Sequence, residues 1–314
     1  MALTILINAA RAAGCTVTEN APMAQVTTFR VGGPADALVT IPDADTAASL
    51  IALCHREGFP FFWLGNGSNL LVGDRGIRGT VLRLDPKAAK VTLADDTTLY
   101  CDAGMTLQRL CLFARDHGLT GLEFAYGIPG TVGGAVYMNA GAYGGEMAQV
   151  VVSADCVTRD GERFTLTAEE LALGYRHSAL MDYPENGNPI VVGVTLSLQA
   201  GDREAIAAQM RELIAKRQEK QPLEYPSAGS FFKRPTGHFA GALIQEAGLK
   251  GYRVGDAQVS EKHAGFIVNR GGATAEDVKT LVRLVQDEVE KLYRYRLECE
   301  IQLVSDGLGD DSDW

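Results

Sequence analysis

Two glycine-rich segments of this chain have the composition of loops that bind phosphate through the backbone. Residues 124–145, FAYGIPGTVGGAVYMNAGAYGG, comprise 22 positions with seven glycines, one proline and no charged side chain, and are too interrupted for a helix. The shorter segment, GNGSN at 65–69, follows the apolar run 61–64, which is typical of a strand. Glycine lets backbone N–H groups approach a bulky ligand that a Cβ atom would exclude. Two such loops predict a dinucleotide site.

Two other interpretations of these segments compete with a ligand site. A membrane span is disfavoured for 124–145, because seven glycines and Pro129 would leave backbone groups unsatisfied in lipid. Glycine packing between strands, with no ligand, stays open for either segment taken alone, since isolated glycine patterns are unspecific. The presence of both segments favours a ligand.

Composition limits the classes of function. The 314 residues suffice for two or three compact units, and the net charge of −10 argues against nucleic acid or an anionic membrane as a partner. The amino terminus lacks a basic export signal, so we expect a surface helix there and a cytoplasmic protein. Residues 305–314 are expected to form an acidic, solvated tail. No metal site is expected, because no two of the six cysteines form a C-x-x-C pair. The cysteines are Cys15, Cys54, Cys101, Cys111, Cys156 and Cys299.

Helical periodicity marks three core-facing helices. One covers residues 107–114, with Thr106 as its N-cap, and another follows Asp202. The third starts after Thr274, which forms a capping box with Asp277, and ends near Tyr293. The prolines in 221–226 predict that the second helix ends there and that an extended connection leads to a further unit.

Strand signals predict an α+β fold. Strands at 37–42, 61–65 and 79–84 alternate with helices, whereas later strands pair as hairpins. The hairpins join 90–94 to 98–103, and 152–158 to 163–167 around a turn at Asp160-Gly161. The early part is therefore mixed and the middle of the chain is antiparallel.

Three later segments place polar side chains among apolar ones, at YRHS 175–178, AGSFFKRP 228–235 and LECEI 297–301. Each has a structural alternative that the sequence leaves open. Arg176 suits a surface guanidinium, Ser230 suits a cap of a helix or turn, and Glu300 suits the solvent side of an edge strand.

Six segments in order resemble the UDP-N-acetylenolpyruvoylglucosamine reductase (MurB) family, in its short branch without an inserted tyrosine loop. They are TFRVGG 28–33, LGNGSNLLVGDRG 64–76, GIPGTVGGAVYMNAGAYG 127–144, YRHS 175–178, PSAGSFFKRP 226–235 and EKHAGFIVNRGGATAEDV 261–278. The resemblance implies non-covalent FAD, NADPH as reductant, and reduction of an enolpyruvyl UDP-sugar to UDP-N-acetylmuramate for peptidoglycan. It implies an α+β FAD-binding fold of two subdomains (vanillyl-alcohol-oxidase/PCMH-like), at 1–85 and 86–212, and a smaller α+β substrate domain at 213–304.

The resemblance also assigns roles to individual residues. Arg176 and Glu300 would serve the substrate carboxylate, with a raised pKa for Glu300, and Ser230 would donate the proton. The cofactor residues implied are Gly65, Asn66, Gly67, Ser68, Asn69, Gly127, Pro129, Gly130, Thr131, Gly133 and Gly134. The substrate contacts implied are Tyr175, Lys220, Arg234 and Lys262. Arg234 stands where many relatives have asparagine, and Cys299 where many have proline.

Three other functions compete with the one that the resemblance implies. A related oxidase with covalent flavin is disfavoured because no His lies between 118 and 176, and a non-redox nucleotide-binding module lacks a P-loop or a clear dinucleotide fingerprint. A flavin-binding scaffold without turnover would leave Arg176, Ser230 and Glu300 uninvolved. The expected partners are the UDP-sugar and NADPH, and the expected state is a monomer or weak oligomer.

Overall fold

A computed structural model describes residues 2–183 and 187–305 of the chain. The chain divides into two compact units. The first takes in Met1–Thr18, Ala37–Asn66 and Gly79–Lys216, and the second Glu19–Asp36, Gly67–Arg78 and Arg217–Trp314. The domain boundaries expected at 85 and 212 stay predictions. All of the predicted acidic tail except Ser305 lies outside the described residues.

Eight α-helices lie in the described residues. They are α1 Ala2–Ala12, α2 Ala44–Glu57, α3 Leu107–Asp116, α4 Val132–Tyr137, α5 Ala168–Leu171, α6 Arg203–Lys220, α7 Ala240–Glu246 and α8 Ala275–Tyr293. None of these helices has the length and apolar character needed to cross a bilayer.

The three predicted helices are confirmed as α3, α6 and α8, together with the predicted caps of α3 and α8. The Thr106 side chain accepts a hydrogen bond from the backbone at the start of α3. The side chain of Asp202, the residue directly before α6, accepts a hydrogen bond from Ala205 N at 2.9 Å. Thr274 and Asp277 form the reciprocal capping box of α8, which ends at Tyr293. These caps satisfy amides that the first helical turn leaves without intrahelical partners, which is why short polar side chains locate the helix starts.

Nineteen short strands occur in the described part of the chain. They are β1 Thr16–Pro22, β2 Pro34–Ile41, β3 Phe61–Trp63, β4 Leu70–Val72, β5 Ile77–Leu84, β6 Val91–Leu93, β7 Thr98–Asp102, β8 Leu119–Thr120, β9 Gly141–Ala142, β10 Gly145–Glu146, β11 Val151–Val157, β12 Arg163–Thr167, β13 Ile190–Ser197, β14 Gln199–Ala200, β15 Ser227–Ser230, β16 Arg253–Val254, β17 Ala257–Val259, β18 Phe266–Asn269 and β19 Gln302–Val304. The larger sheets have the orders β1-β2-β5-β3, β12-β11-β13-β7-β6 and β15-β18-β17-β16.

The sheet pairings confirm the expected mixture of strand directions. In the first unit β3 pairs with β5 in parallel. Both predicted hairpins, β6 with β7 and β11 with β12, are antiparallel. Gly161 takes φ +94°, the left-handed backbone that its hairpin turn requires. The fold is therefore α+β.

The connection after α6 differs from the prediction. The helix ends at Lys220 as expected, but residues 221–226 are not extended. Leu223 N donates to Gln221 O at 2.9 Å, and Tyr225 N donates to Pro222 O at 3.2 Å. Pro222 is the central residue of the first, three-residue turn, because the fixed φ of proline suits such turns as well as extended chain.

Each unit has its own hydrophobic core, and the core of the first unit contains five of the six cysteines. Burial raises the pKa of Cys15 to about 11, and that of Cys54 and of Cys156 to about 12. The pKa values of Cys101 and Cys111 are also raised by burial. The thiolate is the reactive form, and the raised pKa values keep these thiols protonated. They therefore act as small apolar core residues.

Candidate active site

The two glycine-rich loops touch within the first unit. The Asn66 side chain donates from Nδ2 to Pro129 O at 2.7 Å. A Cβ atom added to Gly65 would lie 2.9 Å from Thr131 Oγ1, closer than real Cβ contacts come. The close approach of the loops therefore requires glycine at position 65.

These loops contain backbone amides that no protein group accepts. Within the described residues, the N–H groups of Gly65, Asn66, Gly127 and Thr131 donate to no protein acceptor. Solvated or ligand-bound amides in a cluster make a concave site for an anion. The two touching loops thus fit the pyrophosphate of a dinucleotide.

Other amides of the long loop are already engaged by the protein. Gly133 N donates to Ala103 O at 2.9 Å, and Gly134 N approaches Thr131 Oγ1 at 3.4 Å. A Cβ atom at Gly133 would also lie 2.9 Å from Ala103 Cβ. Packing alone accounts for the glycine at position 133, and its assignment to the cofactor stays a prediction.

The long segment is also more regular than expected, because six of its residues form helix α4. Thr131 is the N-cap of this helix. The backbone then continues into the β9–β10 hairpin. Local capping by Thr131 thus overcomes the low helix propensity of the two glycines that follow it.

In the second unit, Asn69 is hydrogen-bonded to the segment that carries Glu300. Asn69 Nδ2 donates to Glu300 O at 2.9 Å, and Gln302 N donates to Asn69 O at 3.1 Å. Among the described residues, the N–H groups of Gly67, Ser68 and Asn69 itself have no protein acceptor. The end of the short loop therefore presents further amides for an anion beside a predicted catalytic residue.

Ser230 and Glu300 lie on adjacent segments of the second unit. Glu300 N donates to Phe231 O at 2.9 Å, and an antiparallel bridge joins Phe232 to Cys299. Ser230 is exposed at the end of strand β15, where it is paired with Phe266, and it does not cap a helix. Glu300 is half-buried and not on an edge strand. The structure thus brings these two predicted catalytic residues together.

Arg176 lies in the first unit, on a tight turn with an unusual backbone. Gly174 and His177 exchange two backbone hydrogen bonds of 3.0 and 3.3 Å, and Arg176 between them has φ +53°. A left-handed backbone at a residue other than glycine costs about 1 to 3 kcal/mol. The guanidinium is half-buried, donates from Nη2 to Gly141 O at 3.4 Å, and lies 5.4 Å from the centre of the Tyr175 ring. Such a held guanidinium differs from a freely solvated surface arginine.

The predicted substrate-binding cations of the second unit have identified neighbours. Lys262 Nζ donates to Gln218 O at 2.6 Å and lies 3.8 Å from the Glu224 carboxylate. Since Gln218 is in the last turn of α6, Lys262 reaches the helix end that also carries the exposed Lys220. The Arg234 guanidinium stacks on the exposed Phe239 ring, 4.8 Å from its centre.

Sequence reasoning missed two polar residues next to these sites. Asn139 is only 1% exposed, and its side chain donates to Gly174 O at 2.8 Å, on the turn of Arg176. His263 follows Lys262, and its Nδ1 accepts a hydrogen bond from Gly265 N at 3.1 Å. Burial, and secondarily the charge of Lys250, lower the pKa of His263. For Asn139 the sequence does carry a signal, because it is the single side-chain amide in the uncharged run 124–145. No comparable signal marks His263.

Glycine loops with available amides on an α+β fold are typical of dinucleotide-binding proteins, and the FAD-binding class is shown by a family match. Residues 35–167 match the FAD binding domain family, and residues 221–304 match the family described as UDP-N-acetylenolpyruvoylglucosamine reductase, C-terminal domain. The chain belongs to the UDP-N-acetylenolpyruvoylglucosamine reductase family, because an enzyme of that name is 47% identical to it over 91% of its length. The predicted family, fold class and FAD cofactor are thereby confirmed.

Relatives in this family match over nearly their whole length. The UDP-N-acetylenolpyruvoylglucosamine reductase of Clostridium kluyveri is 47% identical over 285 residues, which cover 91% of this chain and 92% of the relative. That of Agathobacter rectalis is 48% identical over 299 residues, covering 92% and 94%. The crystal structure of the Thermus caldophilus enzyme superposes with a TM-score of 0.77 at 40% identity, covering 92% of this chain and 98% of that one.

Proposed function

We propose that this protein uses NADPH to reduce UDP-N-acetyl-3-O-enolpyruvylglucosamine to UDP-N-acetylmuramate, in the synthesis of peptidoglycan precursors. The substrate is named by the relatives, which are enolpyruvoylglucosamine reductases. The observation that carries the proposal is that Ser230 and Glu300 lie on adjacent segments of the second unit, which are joined by the hydrogen bond from Glu300 N to Phe231 O. A hydroxyl and a carboxyl group carried on adjacent segments suit proton transfer to a carbon next to a carboxylate.

The glycine loops at 65–69 and 127–134 would hold FAD, which would supply the hydride, with NADPH as its source. Hydride addition to the enolpyruvyl group leaves electron density next to the substrate carboxylate, which must be stabilised by cations or donors. We assign this task to Arg176, because a planar guanidinium grips a carboxylate through two hydrogen bonds and stays charged. Its strained turn and its bond to Gly141 fix the guanidinium before substrate arrives.

Ser230 is assigned as the proton donor to the substrate carbon adjacent to the carboxylate. Its hydroxyl is exposed at the end of β15, so it is accessible to a substrate. A serine hydroxyl is a weak acid and needs a basic carbanion and nearby positive charge. Lys233 lies three residues along the chain, although its Nζ is 3.5 Å from Glu298. Glu300 is assigned to the carboxylate of the substrate, where a protonated carboxyl group would donate.

The diphosphate of the nucleotide is assigned to Lys220 and Lys262. Lys262 is already fixed at the end of α6 by its bond to Gln218 O, and Glu224 lies near its ammonium. A diphosphate is therefore expected to compete with Glu224 for this cation. Tyr175 and Arg234 complete the proposed substrate contacts, the latter with Phe239 stacked against it.

Further proposals concern the setting of the reaction. We assign the protein to the cytoplasm, as a monomer or weak oligomer, with an FAD-binding part in two subdomains at 1–85 and 86–212 and a substrate domain at 213–304. The division into an FAD-binding part and a substrate domain is supported by the FAD binding domain match at 35–167 and the C-terminal match at 221–304.

The decisive experiment is an anaerobic titration followed by flavin absorbance. NADPH should bleach the flavin, and the enolpyruvyl nucleotide should then restore its colour in one equivalent. Pyruvate and UDP-N-acetylglucosamine are the controls, since neither carries the enol ether. Bleaching without recovery would mean that the protein is a flavoprotein that acts on a different class of substrate. Colourless protein that binds no FAD would overturn the proposal.

A further inference from the structure

Asn139 joins three segments of the first unit through one buried side chain. It follows α4, with 1% of its surface exposed. Its Nδ2 donates to Gly174 O at 2.8 Å, and its Oδ1 accepts from Ala148 N at 2.9 Å. Both ends of the amide are thus used, so the orientation of the side chain is fixed by its partners.

The carbonyl of Gly174 is the point at which this side chain reaches the turn of Arg176. That oxygen also accepts from His177 N, the bond that closes the turn. Arg176 holds a left-handed backbone, φ +53°, only because the surrounding structure determines it. A turn that stores strain relaxes when one of its few fixing contacts is removed. Asn139 is such a contact, and it comes from outside the turn.

We propose that Asn139 is a positioning residue for the reduction, because it holds the Gly174–His177 turn and thereby aims the Arg176 guanidinium. The proposal rests on the role of Arg176 given above. Asn139 itself contacts neither substrate nor cofactor. It sets the position of the Arg176 guanidinium, which does contact the substrate in this proposal. A displacement of about 1 Å in such a group costs up to about a hundredfold in rate.

The test uses Asn139→Asp in the full-length holoenzyme. Aspartate is nearly isosteric and keeps the acceptor for Ala148 N, but it has no N–H to donate and opposes the Gly174 carbonyl with an anionic oxygen. The matched control is Glu123→Gln, another carboxyl–amide exchange at a buried position, 6% exposed. The Glu123 side chain accepts from Thr120 Oγ1 and Gly121 N, away from the turn.

The first measurement is hydrogen–deuterium exchange of the peptide that covers residues 174–178, which does not depend on activity. Asn139→Asp should exchange about tenfold faster there, since the His177 amide loses protection when the turn opens. Glu123→Gln should match the wild type in this peptide. Unchanged exchange in Asn139→Asp would overturn the proposal.

The second measurement separates the two half-reactions by stopped flow. Asn139→Asp should keep flavin reduction by NADPH and lose about tenfold or more in reoxidation by substrate. In an Arg176→Lys background the same change should cost less than about threefold, since both substitutions act through one group. Equal losses in both backgrounds, or a normal reoxidation rate in the single variant, would overturn the positioning role. If the reduced flavin of the wild type is not reoxidised by the enolpyruvyl nucleotide, the proposed function is overturned. The catalytic part of this inference then fails with it. The exchange experiment still decides whether Asn139 holds the turn.

Discussion

The side chain of Asn69 donates a hydrogen bond to the backbone carbonyl of Glu300, 231 residues further along the chain, at 2.9 Å. The amide of Gln302 returns a bond to Asn69 O. A residue predicted to bind the cofactor therefore also fixes the backbone that carries a predicted catalytic carboxyl group. We therefore expect binding of the dinucleotide and placement of Glu300 to be coupled through this side chain.

Asn69→Asp should loosen the segment around Glu300. The variant loses the N–H donor, which costs about 1 to 2 kcal/mol in the free energy of unfolding. Exchange of amides in 298–302 should accelerate, and the variant should release FAD more readily on dilution. Asn66→Asp is the comparison, because it removes a side-chain bond to Pro129 and should affect flavin retention alone. Similar exchange in 298–302 for both variants would contradict the coupling.

Ser230→Ala should separate the two half-reactions. Reduction of the flavin by NADPH needs no proton on the substrate carbon and should be retained. Reoxidation by the enolpyruvyl nucleotide should fall by about a hundredfold or more, the usual contribution of a positioned proton donor. Stopped-flow absorbance of the flavin measures both rates. Equal losses in the two half-reactions would show that Ser230 is not the donor.

Arg176→Lys should lose most of its turnover although the charge is kept. A lysine ammonium is a point charge and cannot reproduce the two parallel hydrogen bonds of a guanidinium. The loss should appear in reoxidation of the flavin by substrate, in kcat more than in KM, if the bonds strengthen in the transition state. Steady-state kinetics at several substrate concentrations measure it, and unchanged turnover would remove Arg176 from the reaction.

His263 should make the protein less stable in weak acid. Burial lowers its pKa in the folded protein below the ordinary value of 6.5, so the unfolded chain binds the proton more readily. The free energy of unfolding should therefore fall as pH drops below about 6.5, by linkage. Protonation also removes the lone pair on Nδ1 that accepts from Gly265 N. His263→Asn retains an acceptor that does not titrate, and urea unfolding between pH 5 and 8 should show a flatter dependence for it.

Cys299 should be the first cysteine to react with iodoacetamide. The other five are buried, whereas Cys299 is partly exposed and precedes Glu300. Mass spectrometry of tryptic peptides should show label at Cys299 before any other site at pH 8. Since Cys299 bridges Phe232, alkylation should slow substrate-dependent reoxidation. Cys299→Ala should prevent both the labelling and the inhibition, and rapid labelling of Cys101 or Cys111 would contradict the burial.

Local features of the fold were predictable from the sequence. The caps at Thr106 and Thr274 and the turn at Gly161 depend on residues within a few positions of one another. The segment at 221–226 shows the limit of this reasoning, because proline permits both an extended chain and a tight turn. Which one forms depends on the partners that the flanking segments find.

The long-range contacts of the site were not predictable in this way. Nothing in the spacing of Asn139 and Gly174, or of Asn69 and Glu300, shows that they meet. Such pairs follow from the path of the whole chain, and a single sequence carries no record of it. The glycines illustrate the same point, since Gly65 is needed where two loops touch and Gly133 where the chain packs on Ala103.

The left-handed backbone at Arg176 implies that thermal stability and catalysis favour different residues at this position. Glycine at this position would relieve the strain and let the protein withstand more heat, because it adopts such a backbone without steric penalty. It would also remove the guanidinium. The arginine therefore keeps a strained backbone conformation because its side chain is needed for the reaction. Variants selected for thermal stability alone, without selection for activity, should replace it early.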